Sequence, residues 1–522
     1  MAATLRRKVI KNFKLQGLSL KSDASSLLVE VLSPYADQQD IDEIIDHIIE
    51  AVQKQPLRSS LVGRDVVEVA IEECNQASDA DSERALVVID AFNVPKFTYN
   101  ADQKKFFPVS KESLKLHAGA NAKAALFRER YTLIQQRTLH HELFTPPALG
   151  QAVQPSSKFQ LQKVEYLLSS SGLPEKIIVL GMLTQLKEGK YHLEDLTGTV
   201  ELNLSNCTFH TGLFVENSLV LAEGIYEDKV FHVDAVGFPP PETSAETRSY
   251  FGNINFFGGS SSICAKASVK LQAMLAENQD AMFVFASDIF LDDQKVMEKL
   301  NTLFRGYSDD PPTAFIFMGN FSSTPYGPLK NQKLKENFNA LADLILLFPS
   351  VAHKSHFLFI PGPQDPGPGN ILPRPPIPTE VTSDITSCIP NAQFCSNPCR
   401  IQFCTQEIVV FREDLMSKLC RHCVRFPSEA TNMPEHFSKT IISQAHMCPL
   451  PLHARPLYWM YDHALELYPL PDLVVFGDKC DPFTVTAHEC TITNPGSFSK
   501  SGFEFKVYIP ASKQVEDSKI ME

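Results

Sequence analysis

The sequence predicts a multidomain α+β protein that combines a small helical domain, a small β-barrel and a larger α/β domain. Three observations lead to this prediction. Apolar residues recur at helical spacing near the start of the chain, as at Ile41, Ile44 and Ile48. Short alternating segments crowd together between residues 175 and 237. Beyond residue 250, short apolar runs alternate with helical patterns, which is typical of an α/β domain.

Length and composition indicate several domains. A chain of 522 residues is too long for one ordinary core, and 43% hydrophobic with 21% charged residues is typical of soluble globular proteins. The sequence has no apolar run of about 18 residues and no apolar leader, so we expect a soluble intracellular protein with no membrane partner. We expect a helical domain over 1–75, a linker with a connecting strand and helix over 76–148, a barrel over 149–245 and an α/β domain over 246–522.

The net charge limits the partners. A formal charge of −13 argues against a dedicated nucleic-acid binder, which needs clustered cations to neutralise phosphates. We expect any contact with DNA to be weak or indirect. The predicted helix from Phe127 to Phe144 carries Arg128, Arg130 and Arg137 among aromatic residues. For this helix we keep contact with a phosphate backbone as the alternative, but we expect it to present a solvated face.

The 12 cysteines indicate reduced thiols, because the chain shows no export signal. Six of them fall between Cys388 and Cys423, and Cys420 and Cys423 have the spacing of zinc ligands. The other spacings in this stretch do not fit a zinc ribbon. Structural zinc stays open, but we expect buried free thiols and neither a metal nor a cofactor.

The first 75 residues predict a small helical bundle. Ser22 or Asp23 can cap a helix that Pro34 stops, a second helix begins at Asp40, and a third runs from Val62 to Ile71. A bundle of this size seldom holds a catalytic pocket by itself, so we expect a docking or packing module. The small, acidic residues that follow it have the composition of a linker.

Five short strands predict the barrel. They are Lys176–Gly181, Tyr191–Glu194, Thr199–Leu202, Leu219–Gly224 and Val230–Val236, with a tight turn between the second and third. Together they fit a small Greek-key barrel of the OB type. OB barrels that bind single strands use aromatic residues over a cationic groove, whereas the hairpins here are acidic. We therefore expect a structural or protein-binding barrel.

Four apolar runs organise the α/β domain, and each ends in a polar residue. They are Phe283–Ala286 before Asp288, Ala314–Met318 before Asn320, His356–Ile360 before Asp365, and Leu473–Phe476 before Asp478. Short runs without alternation predict strands buried on both faces. Open α/β sheets place their sites at the carboxyl ends of such strands, so we expect these polar residues to lie close together.

These strand ends resemble the calcineurin-like metallophosphoesterases, whose successive strand ends carry D-x-H, G-D, G-N-H-D/E, a lone His and G-H-x-H. The sequence keeps Asp288 and Asp365, and His446 stands as the lone His. The changed positions are Phe290 for the first His, Asn320 for the bridging Asp, Pro363 and Gln364 for Asn and His, and Asp478 and Cys480 for the last two His. The resemblance therefore implies a vestigial site without metal.

Two-metal phosphoesterases need about three or four protein ligands per ion, including a bridging carboxylate. The amide of Asn320 bridges two cations poorly, and Phe290 and Pro363 offer no ligand atom in their side chains. We expect the scaffold of an enzyme without its catalyst. The Pro-rich loop Pro361–Pro378 is expected to fill the site as a rigid loop, with a ligand for an SH3-type partner as the alternative.

An OB barrel followed by a phosphoesterase domain stripped of its ligands resembles the B-subunits of eukaryotic replicative DNA polymerases. The loop Pro361–Gly367 is similar to that family's signature. Four further stretches narrow the resemblance to the branch that serves DNA polymerase epsilon: Phe127–Tyr131, Gly252–Gly259, Tyr458–Asp462 and Asp478–Phe483.

The resemblance implies a non-catalytic scaffold in the nucleus that supports chromosomal DNA replication. Its partners would be the C-terminal zinc domain of the catalytic subunit, the small histone-fold subunits of the holoenzyme and the replicative helicase machinery. The helicase contact would run through the helical domain, which the resemblance makes similar to the lid of AAA+ ATPases. Two other classes stay open. One is an active metal-dependent phosphodiesterase or 3′-exonuclease built on Asp288, Asp365, His446 and Asp478, and the other is a single-strand DNA-binding module.

Overall fold

The structure, a computed structural model, describes residues 2–32, 84–145, 159–170, 172–324, 327, 331–427 and 432–520, together with scattered positions between 44 and 71. The chain divides into two compact units. One holds residues 1–84 with 260–262, and the other holds residues 85–259 with 263–522. Among the described residues, no helix is both long enough and apolar enough to cross a membrane.

The first unit is built on helices. It contains α1 (Ala2–Leu15), β1 (Ser19–Leu20), α2 (Ser22–Leu32) and β2 (Leu61–Val62), with β1 and β2 parallel. Val9 and Phe13 of α1 are buried with Leu28 of α2 in an apolar core. Helix α2 begins at Ser22, where the sequence predicts a cap. The helices predicted from Asp40 and from Val62 fall only partly within the described residues.

The second unit opens with a strand, a hairpin and a long helix: β3 (Leu86–Asp90), β4 (Phe97–Asn100), β5 (Lys105–Pro108) and α3 (Ala120–His140). The prediction of a single helix in this segment is confirmed, but its bounds are wrong. The helix begins at Ala120 rather than Phe127, and it ends at His140 rather than Phe144. Alanines at its start favour the helix although they add little to the apolar pattern.

The barrel follows. Its elements are β6 (Leu161–Gln162), α4 (Val164–Leu168), β7 (Gly172–Lys187), β8 (Lys190–Glu194), β9 (Thr199–Asn203), β10 (Thr208–Phe209), β11 (Leu219–Glu227) and β12 (Val230–Gly237). Five strands close in the order β7-β8-β9-β12-β11 and back to β7, because β9 pairs in parallel with β12. This order is that of the predicted Greek-key barrel. At a bulge in β11, a Cβ atom on Gly224 would come 2.1 Å from the carbonyl oxygen of His232, so only glycine fits.

The rest of the chain builds two six-stranded sheets. Its strands are β13 (Phe283–Ser287), β14 (Ala314–Met318), β15 (His356–Ile360), β16 (Ala392–Phe394), β17 (Cys399–Phe403), β18 (Gln406–Arg412), β19 (Leu473–Gly477), β20 (Phe483–Ala487), β21 (Cys490–Asn494), β22 (Glu504–Ile509) and β23 (Gln514–Lys519). Its helices are α5 (Ser244–Phe251), α6 (Val269–Glu277), α7 (Gln294–Gly306), α8 (Asn331–Leu346), α9 (Pro349–Lys354), α10 (Thr379–Cys388), α11 (Met416–His422) and α12 (Met433–Gln444). The first sheet has the order β16-β15-β14-β13-β22-β23, and the second has the order β20-β21-β19-β18-β17-β3.

The two sheets face each other across an apolar core. In β13, Phe283 and Phe285 pack into the core between the sheets, whereas Val284 and Ala286 pack against helices on the outer side. The strand is thus buried on both faces, as its continuous apolar run predicts. Helices α7, α8 and α10 cover the first sheet, and α11 and α12 cover the second.

Strand β3 is the edge strand of the second sheet. It pairs antiparallel with β17, with Asp90 opposite Cys399. Next to this pairing, the backbone N–H of Ala91 donates to Ser396 Oγ over 2.8 Å, across 305 residues of sequence. The connecting strand predicted within residues 76–148 is therefore part of the α/β sandwich.

Two of the three arginines of α3 point into the protein. Arg137 is 2% exposed, and its guanidinium donates to the carbonyl oxygens of Ile442 and Ser443 at the end of α12. A cation at the carbonyl end of a helix is favourable. Arg130 forms an ion pair with Asp462, in which Nη2 lies 2.5 Å from Oδ1. The predicted solvated face is wrong for both, and Arg128 alone of the three is exposed.

Candidate functional site

The carboxyl ends of four strands bring the predicted site residues together. Asp288 follows β13, Asn320 follows β14, Asp365 follows β15 and Asp478 follows β19. Parallel neighbours in a sheet end at the same edge, which is why residues from distant parts of the sequence meet there. Strands β13, β14 and β15 belong to the first sheet and β19 to the second, in which its parallel neighbour β18 ends beside it with Arg412. The ion pair of Arg412 with Asp288 shows that the two groups of strand ends meet.

Arg412 lies at the centre of this cluster and is fully buried. Its Nη2 donates to Asp288 Oδ1 over 2.7 Å, and its Nη1 donates to the Gly477 carbonyl over 2.7 Å and to Asp414 Oδ1 over 2.9 Å. Its Nε donates to the carbonyl oxygen of Gly319. Burial alone would lower the pKa of Arg412, but Asp288 and Asp414 raise it above its ordinary value. The guanidinium is thus a fixed positive charge that joins the ends of β13, β14, β18 and β19.

Asp288 is held by donors from two neighbouring strand ends. Its Oδ1 accepts from the backbone N–H of Asn320 over 3.1 Å and from Arg412. Its φ of +56° lies in the left-handed region, which an aspartate tolerates better than a bulky residue does. Phe290, two residues later, packs against the helix side of the first sheet and does not join the cluster.

Asp365 closes the loop after β15 onto the end of β14. Its Oδ1 accepts from the N–H of Phe321 over 2.8 Å, and its Oδ2 accepts from the N–H of Gly362 over 2.7 Å. Burial raises the pKa of Asp365 to about 6, against the effect of these two hydrogen bonds. A Cβ atom at Gly319 would lie 1.9 Å from Asp365 Oδ2, so the close approach requires glycine.

The Pro-rich loop lies across the strand ends, held by polar groups. Asn320 Oδ1 accepts from the N–H of Gln364 over 2.9 Å. Arg374 Nη1 donates to the carbonyl oxygens of Pro363 and Gly369 over 3.2 and 3.3 Å. Asn320, Pro363 and Gln364 therefore serve as loop contacts. The part of the loop up to Arg374 is held over the strand ends by these hydrogen bonds, in line with the expectation of a rigid loop that fills the site.

Asp478 is directed toward the start of α11. Its Oδ2 accepts from the N–H groups of Leu415 and Met416 over 2.6 and 2.8 Å, and its Oδ1 accepts from the N–H of Cys480 over 3.1 Å. The Cys480 sulfur in turn contacts Asn494 Nδ2 at 3.2 Å. Asp478 and Cys480 are thus held by donors of the protein itself: three backbone N–H groups and the side-chain amide of Asn494.

The structure does not bring His446 to this cluster, which corrects its assignment as the lone His. His446 is buried beside Asp462, with Nε2 3.2 Å from Asp462 Oδ1, and its Nδ1 accepts from the N–H of Cys448. Burial, and then Arg130, lower the pKa of His446. The residue that strand β18 brings to the cluster is Arg412. His446 sits instead where the chain leaves α12, on the side of α3.

These residues do not fit a pair of metal ions. Oδ1 of Asp288 and both carboxylate oxygens of Asp365 and Asp478 already accept hydrogen bonds from backbone N–H groups or from Arg412. No group of three or more His, Cys, Asp or Glu side chains in the described part of the chain is arranged to hold a metal ion. A cation that entered would also meet the guanidinium of Arg412 at short range.

The cysteines are free throughout the described ranges. Cys395, Cys399 and Cys404 are buried, and Cys420 and Cys423 are partly buried. Cys388 is exposed, so the prediction of buried thiols is wrong for that residue, which ends α10 at the surface.

Comparison with known proteins gives the family. Residues 283–485 match a family model that describes the B-subunits of DNA polymerases alpha and epsilon. Residues 120–240 match the family model described as "DNA polymerase epsilon subunit 2-like, OB-fold domain". Residues 1–74 match the model described as "DNA polymerases epsilon N terminal". DNA polymerase epsilon subunit 2 of Bos taurus is 52% identical over 520 residues, covering 99% of this chain and 98% of the relative. The chain belongs to the DNA polymerase epsilon subunit 2 family.

Other members of the DNA polymerase epsilon subunit 2 family align over similar lengths. The protein of Drosophila melanogaster is 41% identical over 519 residues, covering 99% of this chain and 98% of the relative. Among solved structures, an archaeal phosphodiesterase aligns with 46% of this chain and 99% of its own, at 10% identity and a TM-score of 0.26. That likeness is too slight to carry a conclusion.

Neither Arg412 nor Arg374 was predicted from the sequence as a residue of the site. Arg412 directly follows the apolar run Ile408–Phe411. The rule that selects Asp288 and Asp478, a polar residue at the end of a buried strand, selects Arg412 equally well. A search for metal ligands omits it, because an arginine does not bind metal ions. Arg374 carries no comparable signal, because its partners are carbonyl oxygens of the loop.

Proposed function

We propose that the chain is a non-catalytic accessory subunit of DNA polymerase epsilon that supports chromosomal DNA replication in the nucleus. It would bind the C-terminal zinc domain of the catalytic subunit and help to assemble the holoenzyme with the small histone-fold subunits. The helical domain, which we propose is similar to the lid of AAA+ ATPases, would contact the replicative helicase machinery. The family to which the chain belongs supports this function.

The observation that carries the non-catalytic part of the proposal is the position of Arg412. We propose that the α/β domain is a calcineurin-like phosphoesterase that has lost its metal ligands. A two-metal enzyme stabilises the transferred group with the positive charge of its ions and keeps coordination positions open for substrate. Here a protein cation makes four hydrogen bonds, two to the carboxylates of Asp288 and Asp414 and two to backbone carbonyl oxygens, so all the donors of this cation that contact the cluster are engaged by the protein itself.

The packing of the barrel on the α/β sandwich supports a scaffold. Helix α12 presents His436, Thr440 and Gln444, spaced one turn apart, toward the barrel. Thr440 Oγ1 accepts from the N–H of Leu213 over 2.8 Å. The amide of Gln444 both accepts from the N–H of Leu219 and donates to its carbonyl, each over 2.8 Å. A pair of domains joined in this way can offer one continuous surface to a partner.

The first experiment tests for residual catalysis. Purified protein is incubated with Mn²⁺ and dialysed, and both bound metal and the turnover of a phosphodiester substrate are measured. We expect no stoichiometric metal, and turnover no faster than that of an Asp288→Ala variant. Stoichiometric metal together with turnover that is lost in Asp288→Ala would contradict the proposal and favour the phosphodiesterase alternative.

The second experiment tests the partner. The chain is mixed with the C-terminal region of the catalytic subunit and analysed by size-exclusion chromatography. We expect a complex of one copy each, and we expect prior removal of zinc from the partner to weaken it at least about tenfold, because such domains unfold without their metal. A fragment of the catalytic subunit that lacks the zinc domain is the control. A complex that forms equally well with that fragment would contradict the proposed binding of the zinc domain.

A further inference from the structure

A polar cavity of about 190 Å³ lies at the end of the second sheet where β18 begins, opposite the strand end that carries Arg412. Its walls come from the start of α5, from α6 and the loop before it, from the turns β17–β18, β20–β21 and β22–β23, and from the residues before β19. Among the described lining residues only Ala245 and Leu470 are apolar. An apolar cavity of roughly 150 Å³ is known to admit benzene, so this cavity has room for a small polar guest.

The buried carboxylate of the cavity, Asp472, is already saturated. Its Oδ1 lies 2.8 Å from Lys513 Nζ, and its Oδ2 lies 2.7 Å from Lys266 Nζ. Oδ2 also accepts from the N–H of Glu407 over 2.9 Å. Burial alone would raise the pKa of Asp472, but Lys266 and Lys513 lower it below its ordinary value. A cation that entered the cavity would have to displace one of these lysines to reach the carboxylate.

Arg248 adds a positive charge without a partner. It lies on α5, is partly buried and lines the cavity. Its guanidinium makes no hydrogen bond or ion pair within the part of the chain that the structure describes. An arginine keeps its proton near pH 7, so the charge is permanent. A partly buried charge without a counter-charge favours an anionic guest.

The charges of the whole lining sum to a positive value. Three cations line the cavity against two carboxylates, of which Glu489 is exposed at the rim. His488, also at the rim, adds no charge near pH 7, because burial and then Lys439 lower its pKa. Glu407 lies outside the lining, with Oε2 3.8 Å from Lys266 Nζ, and burial raises its pKa. The cavity therefore suits an anion better than a cation.

Two neutral donors at the start of β18 also lack acceptors. Gln406 is 3% exposed, and its Oε1 accepts from the hydroxyl of Tyr508 over 3.0 Å, which leaves Nε2 without an acceptor among the described residues. Thr405 is 8% exposed, and its hydroxyl has no partner among them. Neither atom is among the unpaired side-chain atoms that are closed off from solvent. Because both residues line the cavity, these donors are accessible to a guest.

The start of α5 contributes backbone donors to the same space. Its first two residues, Ser244 and Ala245, line the cavity. The capping hydroxyl of Thr243 accepts from the N–H of Glu246, so the N–H groups of Ser244 and Ala245 have no acceptor in the described part of the chain. Unpaired N–H groups at the start of a helix attract anions. Here they share one cavity with the unpaired guanidinium of Arg248.

The free groups of the cavity are thus hydrogen-bond donors on two separate segments, together with one unpaired positive charge. A carboxylate offers two oxygens in one plane, whereas a phosphate monoester offers three strong acceptor oxygens. We propose that this cavity binds a phosphomonoester group, with its oxygens on Arg248, Thr405 Oγ1 and Gln406 Nε2, beside the start of α5. A space that holds about one benzene ring leaves the base and ribose of a nucleotide outside. The inference does not rest on the proposed function.

The first test titrates the full-length chain with inorganic phosphate, followed by calorimetry and phosphorus NMR. We expect saturable binding of one ion, with a dissociation constant on the order of 1 mM for so small a ligand. Acetate carries one charge and two oxygens, and we expect it to bind at least about tenfold more weakly. Equal binding of the two ions, or no saturable binding of phosphate, overturns the proposal.

Matched variants locate the binding. Arg248→Gln removes the unpaired charge, and Arg305→Gln removes an exposed arginine of α7 that has no ion pair among the described residues. We expect phosphate affinity to fall at least about tenfold in Arg248→Gln and to stay unchanged in Arg305→Gln. The thermal midpoints of both should stay close to that of the parent, because neither arginine has a partner to lose. Unchanged affinity in a folded Arg248→Gln variant overturns the site.

Thr405→Val is a second variant that nearly keeps the shape of the side chain. The hydroxyl that it removes has no partner in the described protein, so we expect the fold to be kept. Loss of one donor to a charged guest should weaken phosphate binding at least about fivefold. Phosphate affinity equal to that of the parent in Thr405→Val would also contradict the proposed arrangement, whatever the behaviour of Arg248→Gln.

A last comparison identifies the source of the phosphate group. Phosphoserine with both ends capped represents a phosphorylated side chain, and inorganic phosphate represents a free ion. Tighter binding of the phosphoserine assigns the cavity to a phosphorylated chain and weaker binding assigns it to a free ion, and both outcomes support a phosphate site. Capped serine without phosphate is the control. Binding of this control as tight as that of phosphoserine overturns the proposal, because the phosphate would then contribute nothing.

Discussion

At the scale of single residues, the cluster at the strand ends shows how a buried charge can take over a structural task. Asp288 is 1% exposed, and burying a carboxylate in an apolar interior is costly unless a counter-charge pairs with it. Arg412 provides that charge and at the same time satisfies the carbonyl oxygens of Gly319 and Gly477. Its planar fork suits such a role better than a lysine would, because several fixed acceptors are met at once.

The first prediction concerns this pair. Arg412→Met should lower the free energy of unfolding by about 3–5 kcal/mol, because it leaves the Asp288 carboxylate buried without its counter-charge. Urea unfolding of the full-length chain measures the loss. Lys479→Met is the control, because Lys479 pairs with the same Asp414 but is 45% exposed, and it should cost less than about 1 kcal/mol. Adding Asp288→Asn to Arg412→Met should restore part of the loss. Similar costs for the two single variants would contradict this account.

The second prediction concerns pH. The pKa of Glu466 is about 7 in the folded chain, and it should be near 4.3 in the unfolded chain. The folded chain then binds more protons between about pH 4.3 and pH 7, so this residue's contribution to stability falls as the pH rises through that window. Glu466→Gln should be about 1–2 kcal/mol more stable than the parent at about pH 8, and equal to it near pH 4.

Unfolding curves at the two pH values check this outcome. Glu188→Gln, an exposed change in the turn between β7 and β8, is the control and should alter neither value. The prediction fails if Glu466→Gln stabilises the chain equally at both pH values, because that would point to packing rather than to ionisation.

At the scale of elements, local pattern and long-range pairing were not equally predictable. The runs that became β13, β14, β15 and β19 are short, apolar and bounded by polar residues, so each strand could be predicted from its own few residues. The closed barrel followed from five strands and one tight turn. The bounds of α3 were missed because its first turns carry alanine rather than a periodic apolar stripe.

Which residues contact each other in space was harder to predict than which segments form strands. Arg412 meets Asp288 across 124 residues, and no spacing rule connects two such positions. His446 was selected only for its residue type, and its true neighbours lie on α3 and near Asp462, which the sequence does not place beside it. The carboxylates at the strand ends were predictable in position, but the N–H groups that saturate them depend on how each loop folds back.

The third prediction is made for the junction between α12 and the barrel. Gln444→Ala removes two hydrogen bonds and leaves the N–H and carbonyl of Leu219 buried without partners, so it should cost about 2–3 kcal/mol. It should also speed hydrogen exchange at the start of β11. Glu435→Ala is the control on the same helix, since Glu435 is exposed and bonds to Asn432. Equal exchange rates at β11 in both variants would show that Gln444 does not hold the barrel in place.

At the scale of the whole molecule, charge and packing favour protein partners over nucleic acid. The chain carries a formal charge of −13, and two of the three arginines of α3 are engaged inside the protein. The barrel hairpins also carry exposed acidic side chains near lysines, such as the pair of Lys190 with Glu201. Little free positive surface remains along these elements to follow a phosphate backbone.

The fourth prediction follows from that distribution. A fluorescent single strand of oligo-dT should bind with a dissociation constant above about 10 µM at roughly 0.15 M salt, within the range of non-specific contacts. Fluorescence anisotropy at several salt concentrations measures both the affinity and its salt dependence. Charge reversal at the exposed arginine of α3, Arg128→Glu, should change the affinity by less than about threefold. Submicromolar binding that Arg128→Glu abolishes would restore the DNA-binding alternative.

The placement of β3 has a consequence for biosynthesis. Leu86–Asp90 leaves the ribosome long before Cys399–Phe403, the strand with which it pairs. At about 5–20 residues per second, the roughly 300 intervening residues take about 15–60 s to translate. During that time the barrel between them can fold, while a Val- and Ile-rich segment waits with its backbone unpaired. Nascent chains should therefore need a chaperone at that segment, and a version that begins after the barrel should emerge with an open sheet edge and aggregate.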